Sequence, residues 1–162
     1  MTRTRMLRAI GALVAIAAVG ALLTACSGSK TPGTNVSVFD IKVGDCFNAP
    51  GEVQAELSKI KRVPCAAQHV REAYAITDYA APSGATSSDA YPGADVLSVF
   101  AKGACAQQYK PYVGVDYLDS SLFFTYLFPS ARSWEQDDDR KVICFVTTTG
   151  APLTGSVKGS MK

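Results

Sequence analysis

The chain has 162 residues, with 16 Lys and Arg against 14 Asp and Glu and a formal net charge of +2. Three of the basic residues lie in residues 1–25, so the remaining 137 residues carry 13 basic and 14 acidic side chains. That length fits one small domain. No stripe of Lys and Arg with interleaved aromatic residues remains after position 25, and we therefore exclude nucleic acid as a partner.

Residues 1–25 are typical of a secretion signal, with a basic start, an uncharged apolar run over 9–23 and small residues before Cys26. The sequence Leu23-Thr24-Ala25-Cys26 resembles the lipobox of bacterial lipoproteins. This resemblance implies cleavage before Cys26 and a diacylglycerol on its thiol. We therefore expect a signal peptide over 1–25 and attachment through Cys26 to the outer face of the plasma membrane. The alternative is an uncleaved transmembrane anchor, but the apolar run is shorter than the roughly 18–20 residues that a spanning helix needs.

The segment after the signal divides into a tether, a domain and a tail. Residues 26–35 contain the lipidated Cys followed by Gly, Ser, Thr and Pro without a large apolar residue, which predicts a flexible tether. The folded domain is expected over 36–149. Residues 150–162 are small and polar, and we expect a loose C-terminal tail there.

The hydrophobic pattern predicts five strands, one helix and a long loop over 80–93. The strands are expected at 36–41, 60–65, 70–79, 122–128 and 141–149. Residues 122–128 fit a buried strand best, although periodicity alone does not exclude a short helix. In 70–79, alternation places Ala73 and Ala75 on one face and Tyr74 and Ile76 on the other.

The helix is expected at 95–109, where Leu97, Ala101, Cys105 and Tyr109 recur every four residues. Residues 141–149 are apolar on both faces, as in an interior strand. These patterns predict an α+β fold, with a small, mostly antiparallel sheet, one main helix packed on it and two disulfides.

Four cysteines remain after Cys26, an even number that favours two disulfides in an exported chain. A four-thiolate zinc site is disfavoured because paired C-x-x-C knuckles are absent. A helix carrying Cys105 beside a central strand carrying Cys144 favours a bond between these two, which leaves Cys46 to pair with Cys65. Three connectivities are possible, and the sequence alone does not choose between them.

An ordered set of motifs resembles the septum-formation domain family of actinobacterial envelope proteins. The set comprises Gly44-Asp45-Cys46, Cys65 with His69 and Glu72, Pro92-Gly93, Cys105 with Tyr109, Trp134, and Asp139-Arg140 with Cys144. The resemblance covers about residues 38–148 and implies an extracytoplasmic, disulfide-bonded module with a link to septation and no catalytic chemistry. Asp138 stands where the family pattern has Gly, which suggests a less tight turn.

His69 is the only histidine, and it lies between Cys65 and Glu72. A Cys–His nucleophile pair is disfavoured because a disulfide removes the thiolate. A serine nucleophile lacks an elbow or oxyanion motif. We interpret His69 as a positioned histidine that hydrogen-bonds a strand end, with Glu72 as its candidate partner. His69 and Glu72 are also the candidates for an interaction surface.

Other polar and aromatic residues give weaker signals. The acidic run 137–139 lacks the spacing of a calcium loop, so we predict no metal site and no cofactor. We expect Asp139 and Arg140 to fix a turn and Trp134 to cover one end of the core. Three tyrosines in or beside loops are candidates for a recognition patch: Tyr79, Tyr91 and Tyr112.

The leading hypothesis is a non-enzymatic, lipid-anchored module that binds an envelope protein or a cell-wall component. One alternative is a solute-binding or sensing lipoprotein with an apolar pocket lined by Phe123, Phe124, Tyr126 and Phe128. Another is a cell-wall hydrolase or transferase that uses His69.

Overall fold

The computed structural model describes residues 33–48, 57–81 and 90–162. Its strands are β1 Thr34–Ser37, β2 Cys46–Phe47, β3 Lys59–Val63, β4 Arg71–Asp78, β5 Phe123–Leu127 and β6 Lys141–Thr147. The helices are α1 Ala94–Val113 and α2 Ala131–Gln136, with a 3₁₀ turn at Val38–Asp40. The predicted signal peptide, Cys26 and most of the predicted tether lie outside the described residues.

The six strands form one sheet in the order β1-β3-β2-β4-β6-β5, and every neighbouring pair is antiparallel. The main helix, α1, packs on one face of this sheet, against β4, β5 and β6. The predicted α+β fold is therefore confirmed. Within the described ranges, no helix has the length and apolar character that crossing a membrane requires.

Apolar side chains are buried on both faces of the sheet. The helix-side core includes the predicted stripe of α1 and one face of β6, namely Ala101, Cys105, Tyr109, Val142, Cys144 and Val146. The far-side core is built from Ile41, Phe47, Ile60, Ala73, Ile143 and Phe145. The central strand β6 thus buries both of its faces, as its two-sided apolar pattern predicts.

Two disulfides connect the elements. Cys46 is bonded to Cys65, with 5.2 Å between their Cα atoms, and Cys105 is bonded to Cys144, with 5.5 Å between theirs. The first bond joins β2 to the turn after β3, and the second joins α1 to β6. This is the pairing that the predicted helix–strand arrangement favours. Each bond is worth about 2–4 kcal/mol of stability.

The N-terminal boundary and the first strand differ from the prediction. Thr34 and Asn35 pair with Arg62 and Lys61 of β3, so the sheet begins inside the segment expected to be a tether. The strand ends at Ser37, whose side chain accepts a hydrogen bond from the Phe39 amide and starts the 3₁₀ turn. The alternation of apolar residues over 36–41 predicted a strand and not this turn. The turn depends on a local side-chain hydrogen bond, which a hydrophobic pattern does not show.

The predicted alternation in β4 is wrong at its centre. A register shift between Ala73 and Ala75 interrupts the pairing with β6. As a result Tyr74 and Ala75 both contribute to the helix-side core, whereas Ala73 and Ile76 lie on the far side. A bulge inserts an extra residue into one strand. Every residue beyond the bulge therefore points to the opposite face of the sheet from the one that simple alternation predicts.

Helix α1 is longer than predicted and continues through Pro111 to Val113. A proline in the last turn removes one amide donor but leaves most of the helix intact. The helix ends at Gly114, which has a φ of 99° and whose amide donates to the Lys110 carbonyl. A left-handed glycine is a common helix terminator.

Strand β5 lies at the edge of the sheet and is less buried than predicted. It pairs with β6 alone among the described strands, and Phe123 is 52% exposed. A dense apolar run indicates a strand but does not give its place in the sheet, because edge and central positions differ only in long-range pairing.

Candidate functional site

His69 and Glu72 are buried polar residues, and each is 0% exposed. Glu72 belongs to β4, where its backbone pairs with Cys46 of β2. His69 lies just before that strand and forms an isolated antiparallel bridge with Leu153. A buried carboxylate is costly unless hydrogen bonds compensate for its lost hydration, so its partners indicate its role.

Three donors converge on the Glu72 carboxylate. The Tyr112 hydroxyl and the Ser156 hydroxyl each donate to Oε1 at 2.6 Å, and the Val157 amide donates to Oε2 at 2.8 Å. Tyr112 comes from the end of α1, whereas Ser156 and Val157 come from the C-terminal residues. Glu72 therefore connects the centre of the sheet to both the helix and the C-terminal chain.

His69 is oriented by the backbone and not by Glu72. Its Nδ1 lies 2.9 Å from the Ala67 carbonyl oxygen, and because that oxygen can only accept, Nδ1 carries a proton. Its Nε2 lies 4.0 Å from Glu72 Oε2, beyond hydrogen-bond distance, and has no hydrogen-bond partner among the described residues. The candidate hydrogen bond between His69 and Glu72 is thus absent, and the pair is close but not joined.

The tyrosines around this pair are protonated donors at neutral pH. Burial, together with the hydrogen bond and charge of Glu72, raises the pKa of Tyr112. Burial and the neighbouring Tyr109 raise the pKa of Tyr74, whose hydroxyl donates to the Cys105 carbonyl at 2.7 Å. Both hydroxyls therefore act as fixed donors between the helix and the sheet.

Residues 153–161 form a docked segment that contradicts the expectation of a loose tail. Leu153 exchanges two backbone hydrogen bonds with His69, at 3.0 and 2.8 Å, and Gly155 donates to the Cys65 carbonyl at 2.7 Å. Leu153 and Val157 are buried in the helix-side core. Most residues of this segment are small or polar. Two isolated apolar residues are too few to form a periodic pattern, so the sequence did not predict the docking. We call residues 153–161 the C-terminal strap.

The first disulfide lies beside Glu72. The Sγ atoms of Cys46 and Cys65 and a carboxylate oxygen of Glu72 all lie within 4.8 Å of one another. Three potential metal ligands therefore meet at one point. Because the two sulfurs are bonded to each other, they offer no thiolate to a metal ion.

The predicted tyrosine patch separates into two places. Tyr79 and Tyr91 both pack edge-on against Trp134, with ring centroids 5.8 and 5.9 Å apart. Tyr112 lies elsewhere, at Glu72. The Arg140 guanidinium stacks 3.7 Å from the Trp134 ring and donates to the Trp134 carbonyl, which fixes the turn after α2 as predicted. Trp134 itself is buried.

Helix α2, which carries Trp134, was not predicted. It begins at a reciprocal capping arrangement between Ser130 and Ser133. The Ser-x-x-Ser spacing after Pro129 is the one local signal that indicates this start.

Among the described residues, the four aromatic side chains proposed for the solute-binding alternative do not enclose an apolar pocket. Three of the four pack on other rings: Phe124 contacts Tyr109 and Tyr117, and Tyr126 stacks on Phe128. The fourth, Phe123, is exposed. A cavity of about 70 Å³ lies beside this strand, and of the four residues Tyr126 alone lines it. Pockets for small molecules are several times larger, at roughly 300–1,000 Å³.

A family model described as septum formation matches residues 43–161 of the chain. The matched range contains both disulfides, His69, Glu72 and the C-terminal strap. No curated protein and no solved structure matches the chain.

Proposed function

Since the chain belongs to the septum-formation family, we propose that it acts in cell division as a non-enzymatic interaction module at the cell envelope. The family match over 43–161 is the observation that carries this proposal. The module binds an envelope protein or a cell-wall component. It is held on the outer face of the plasma membrane by a diacylglycerol on Cys26.

The geometry of His69 and Glu72 supports a non-enzymatic role. A general acid or base must come within about 3 Å of the group it protonates or deprotonates. Both side chains are fully buried, and the Glu72 carboxylate already accepts three hydrogen bonds from the fold. This pair stabilises the domain instead of facing a substrate.

The lipid anchor is supported by the sequence before the domain and by the cysteines within it. Residues 1–25 read as an export signal that ends in a lipobox. The domain uses four cysteines in two disulfides, and such bonds persist mainly in oxidising compartments outside the cytosol. Two acyl chains give stable attachment, since each buried CH₂ contributes about 0.8 kcal/mol.

Depletion of the protein, followed by imaging of septa, tests the role in division. We expect misplaced or missing septa on depletion and rescue by the wild-type chain. Normal septation throughout depletion would contradict the proposal. Crosslinking from membranes, with the depleted strain as control, should recover a specific envelope partner.

A Cys26→Ser variant tests the anchor separately. We expect the wild-type chain, but not Cys26→Ser, to incorporate a labelled fatty acid and to remain in the membrane fraction. Equal labelling of the two chains would exclude Cys26 as the acylated residue.

A hydrolase or transferase that uses His69 is the second candidate, because the buried Nε2 of His69 has no hydrogen-bond partner among the residues that the structure describes. Purified protein should release no soluble fragments from cell-wall material. Measured release that is lost in a folded His69→Ala variant would favour the enzyme instead.

A further inference from the structure

The two disulfides have very different surroundings. Cys105 and Cys144 are both fully buried between α1 and β6. In the other bond Cys46 is fully buried, whereas Cys65 is partly exposed in the turn that follows β3. A thiolate can attack a disulfide only at a sulfur that it can reach.

An open cleft of about 470 Å³ leads to the Cys46–Cys65 bond. Both cysteines line it, together with Gly44, Asp45, Arg62 and Pro64 among others of the described residues. Its volume falls in the range that accommodates small molecules, roughly 300–1,000 Å³. A small dithiol, or a thiol-bearing side chain of another protein, can therefore enter.

A backbone acceptor that can take the protons of the reduced cysteines lies beside the bond. The Gly44 carbonyl oxygen lies 3.3 Å from Cys65 Sγ and 3.9 Å from Cys46 Sγ. A disulfide has no proton to donate to this oxygen, but each thiol would have one. An acceptor for the reduced cysteines is therefore already in place.

We propose that the Cys46–Cys65 disulfide is a thiol–disulfide exchange site, with Cys65 as the sulfur attacked by an incoming dithiol. The thiolate of the dithiol bonds to Cys65 Sγ, the bond to Cys46 breaks, and Cys46 leaves as a thiolate that takes a proton from water. The second thiol of the dithiol then loses its proton to water and attacks the dithiol's own sulfur in the mixed disulfide, and Cys65 leaves as a thiolate that takes a proton from water. The dithiol is oxidised to a disulfide, and the protein disulfide is reduced by two electrons.

Timed reduction of the wild-type domain tests the site, with Cys105–Cys144 as the internal reference. The folded protein is treated with dithiothreitol, quenched by alkylation and mapped by mass spectrometry. We expect Cys46–Cys65 to be reduced at least about tenfold faster than Cys105–Cys144, and the two rates to converge in urea. Equal rates in the folded protein, or earlier reduction of Cys105–Cys144, would overturn the proposal.

Two single variants test which sulfur is attacked. Cys46→Ser leaves the Cys65 thiol, and Cys65→Ser leaves the Cys46 thiol, so the pair is matched in composition. With Ellman's reagent we expect the Cys65 thiol to react at least about tenfold faster than the Cys46 thiol. Equal reactivity in two folded variants would overturn the assignment of Cys65. If either variant fails to fold, peptide mapping of the mixed disulfide trapped during reduction of the wild-type protein decides, and an incoming thiol found on Cys46 would overturn the assignment.

Discussion

Glu72 connects three separate parts of the described fold. Its backbone belongs to the sheet, and its carboxylate receives donors from α1 and from the C-terminal strap. Burial of a carboxylate costs several kcal/mol, and charge-assisted hydrogen bonds must offset that cost. The three donors are therefore a condition for placing an acidic residue in this core.

A Glu72→Gln variant should lower the free energy of unfolding by about 2–3 kcal/mol. The amide keeps the size of the side chain but places an NH₂ group against at least one existing donor, which leaves buried donors unpaired. Tyr112→Phe, which removes only one of the three donors, should cost about 1–1.5 kcal/mol. Urea denaturation measures both values. If Glu72→Gln costs no more than Tyr112→Phe, the carboxylate does not hold the strap.

Asp138 has a left-handed backbone conformation at the position where the resemblance expects glycine. Its φ is 51°, in the left-handed region, and its side chain is 92% exposed with one ion pair to Arg140. Asp138 therefore adopts the conformation that glycine favours, because Asp is one of the few non-glycine residues that enter this region at modest cost. The expectation of a less tight turn stays a prediction.

We expect Asp138→Gly to leave stability unchanged or to raise it by up to about 1 kcal/mol. Glycine relieves the left-handed strain, and an exposed ion pair contributes little. The matched control is Asp137→Gly, because Asp137 has a φ of −116° and should lose about 0.5–1 kcal/mol. Thermal unfolding compares the two variants. A larger loss for Asp138→Gly than for Asp137→Gly would contradict the strain argument.

The sequence identified His69 and Glu72 as the residues of interest but not their partners. Tyr112 and Ser156 lie 40 and 84 positions from Glu72. No local pattern relates residues at such separations, since the fold alone brings them together. The short spacing between His69 and Glu72 suggested a hydrogen bond. Sequence spacing does not fix the distance between two side chains, however, and this hydrogen bond does not form.

At the scale of elements, periodicity located α1 and β6 and the faces that they bury. The stripe through Leu97, Ala101, Cys105 and Tyr109 is fully buried. Periodicity did not locate the bulge in β4 or the edge position of β5. Both features depend on register with a neighbouring strand, and a single strand's sequence carries little information about its neighbour.

The C-terminal strap was missed because it has no periodicity, yet it should contribute substantially to stability. Val157→Ala removes buried apolar surface from the helix-side core and should cost about 2 kcal/mol. Thr154→Ala in the same strap is the control, because Thr154 is exposed and should change stability by less than about 0.5 kcal/mol. Urea denaturation of both variants checks this. Equal stabilities would indicate a strap that is not docked in solution.

At the scale of the whole molecule, a chain of contacts joins β2, β4, α1, β6 and the strap through one helix–sheet interface. Cys105–Cys144 crosses this interface covalently, and the hydroxyls of Tyr74 and Tyr112 cross it by hydrogen bonds. Three tyrosines at the interface, Tyr74, Tyr109 and Tyr112, have a raised pKa, in each case chiefly because of burial. The stability of the whole domain should therefore change with pH in the alkaline range.

The free energy of unfolding should be insensitive to these tyrosines below pH about 10 and should fall above it. In the unfolded chain they lose protons near their ordinary pKa of about 10, whereas the folded domain retains them, so rising pH favours unfolding. Each such tyrosine adds a slope of up to about 1.4 kcal/mol per pH unit until its folded pKa is passed.

Urea denaturation between pH 8 and about 11.5 measures this slope, and tyrosinate absorbance in folded and urea-unfolded protein counts the ionising groups. A flat stability curve, with all seven tyrosines ionising near pH 10 in the folded domain, would mean that the helix–sheet interface is open to water.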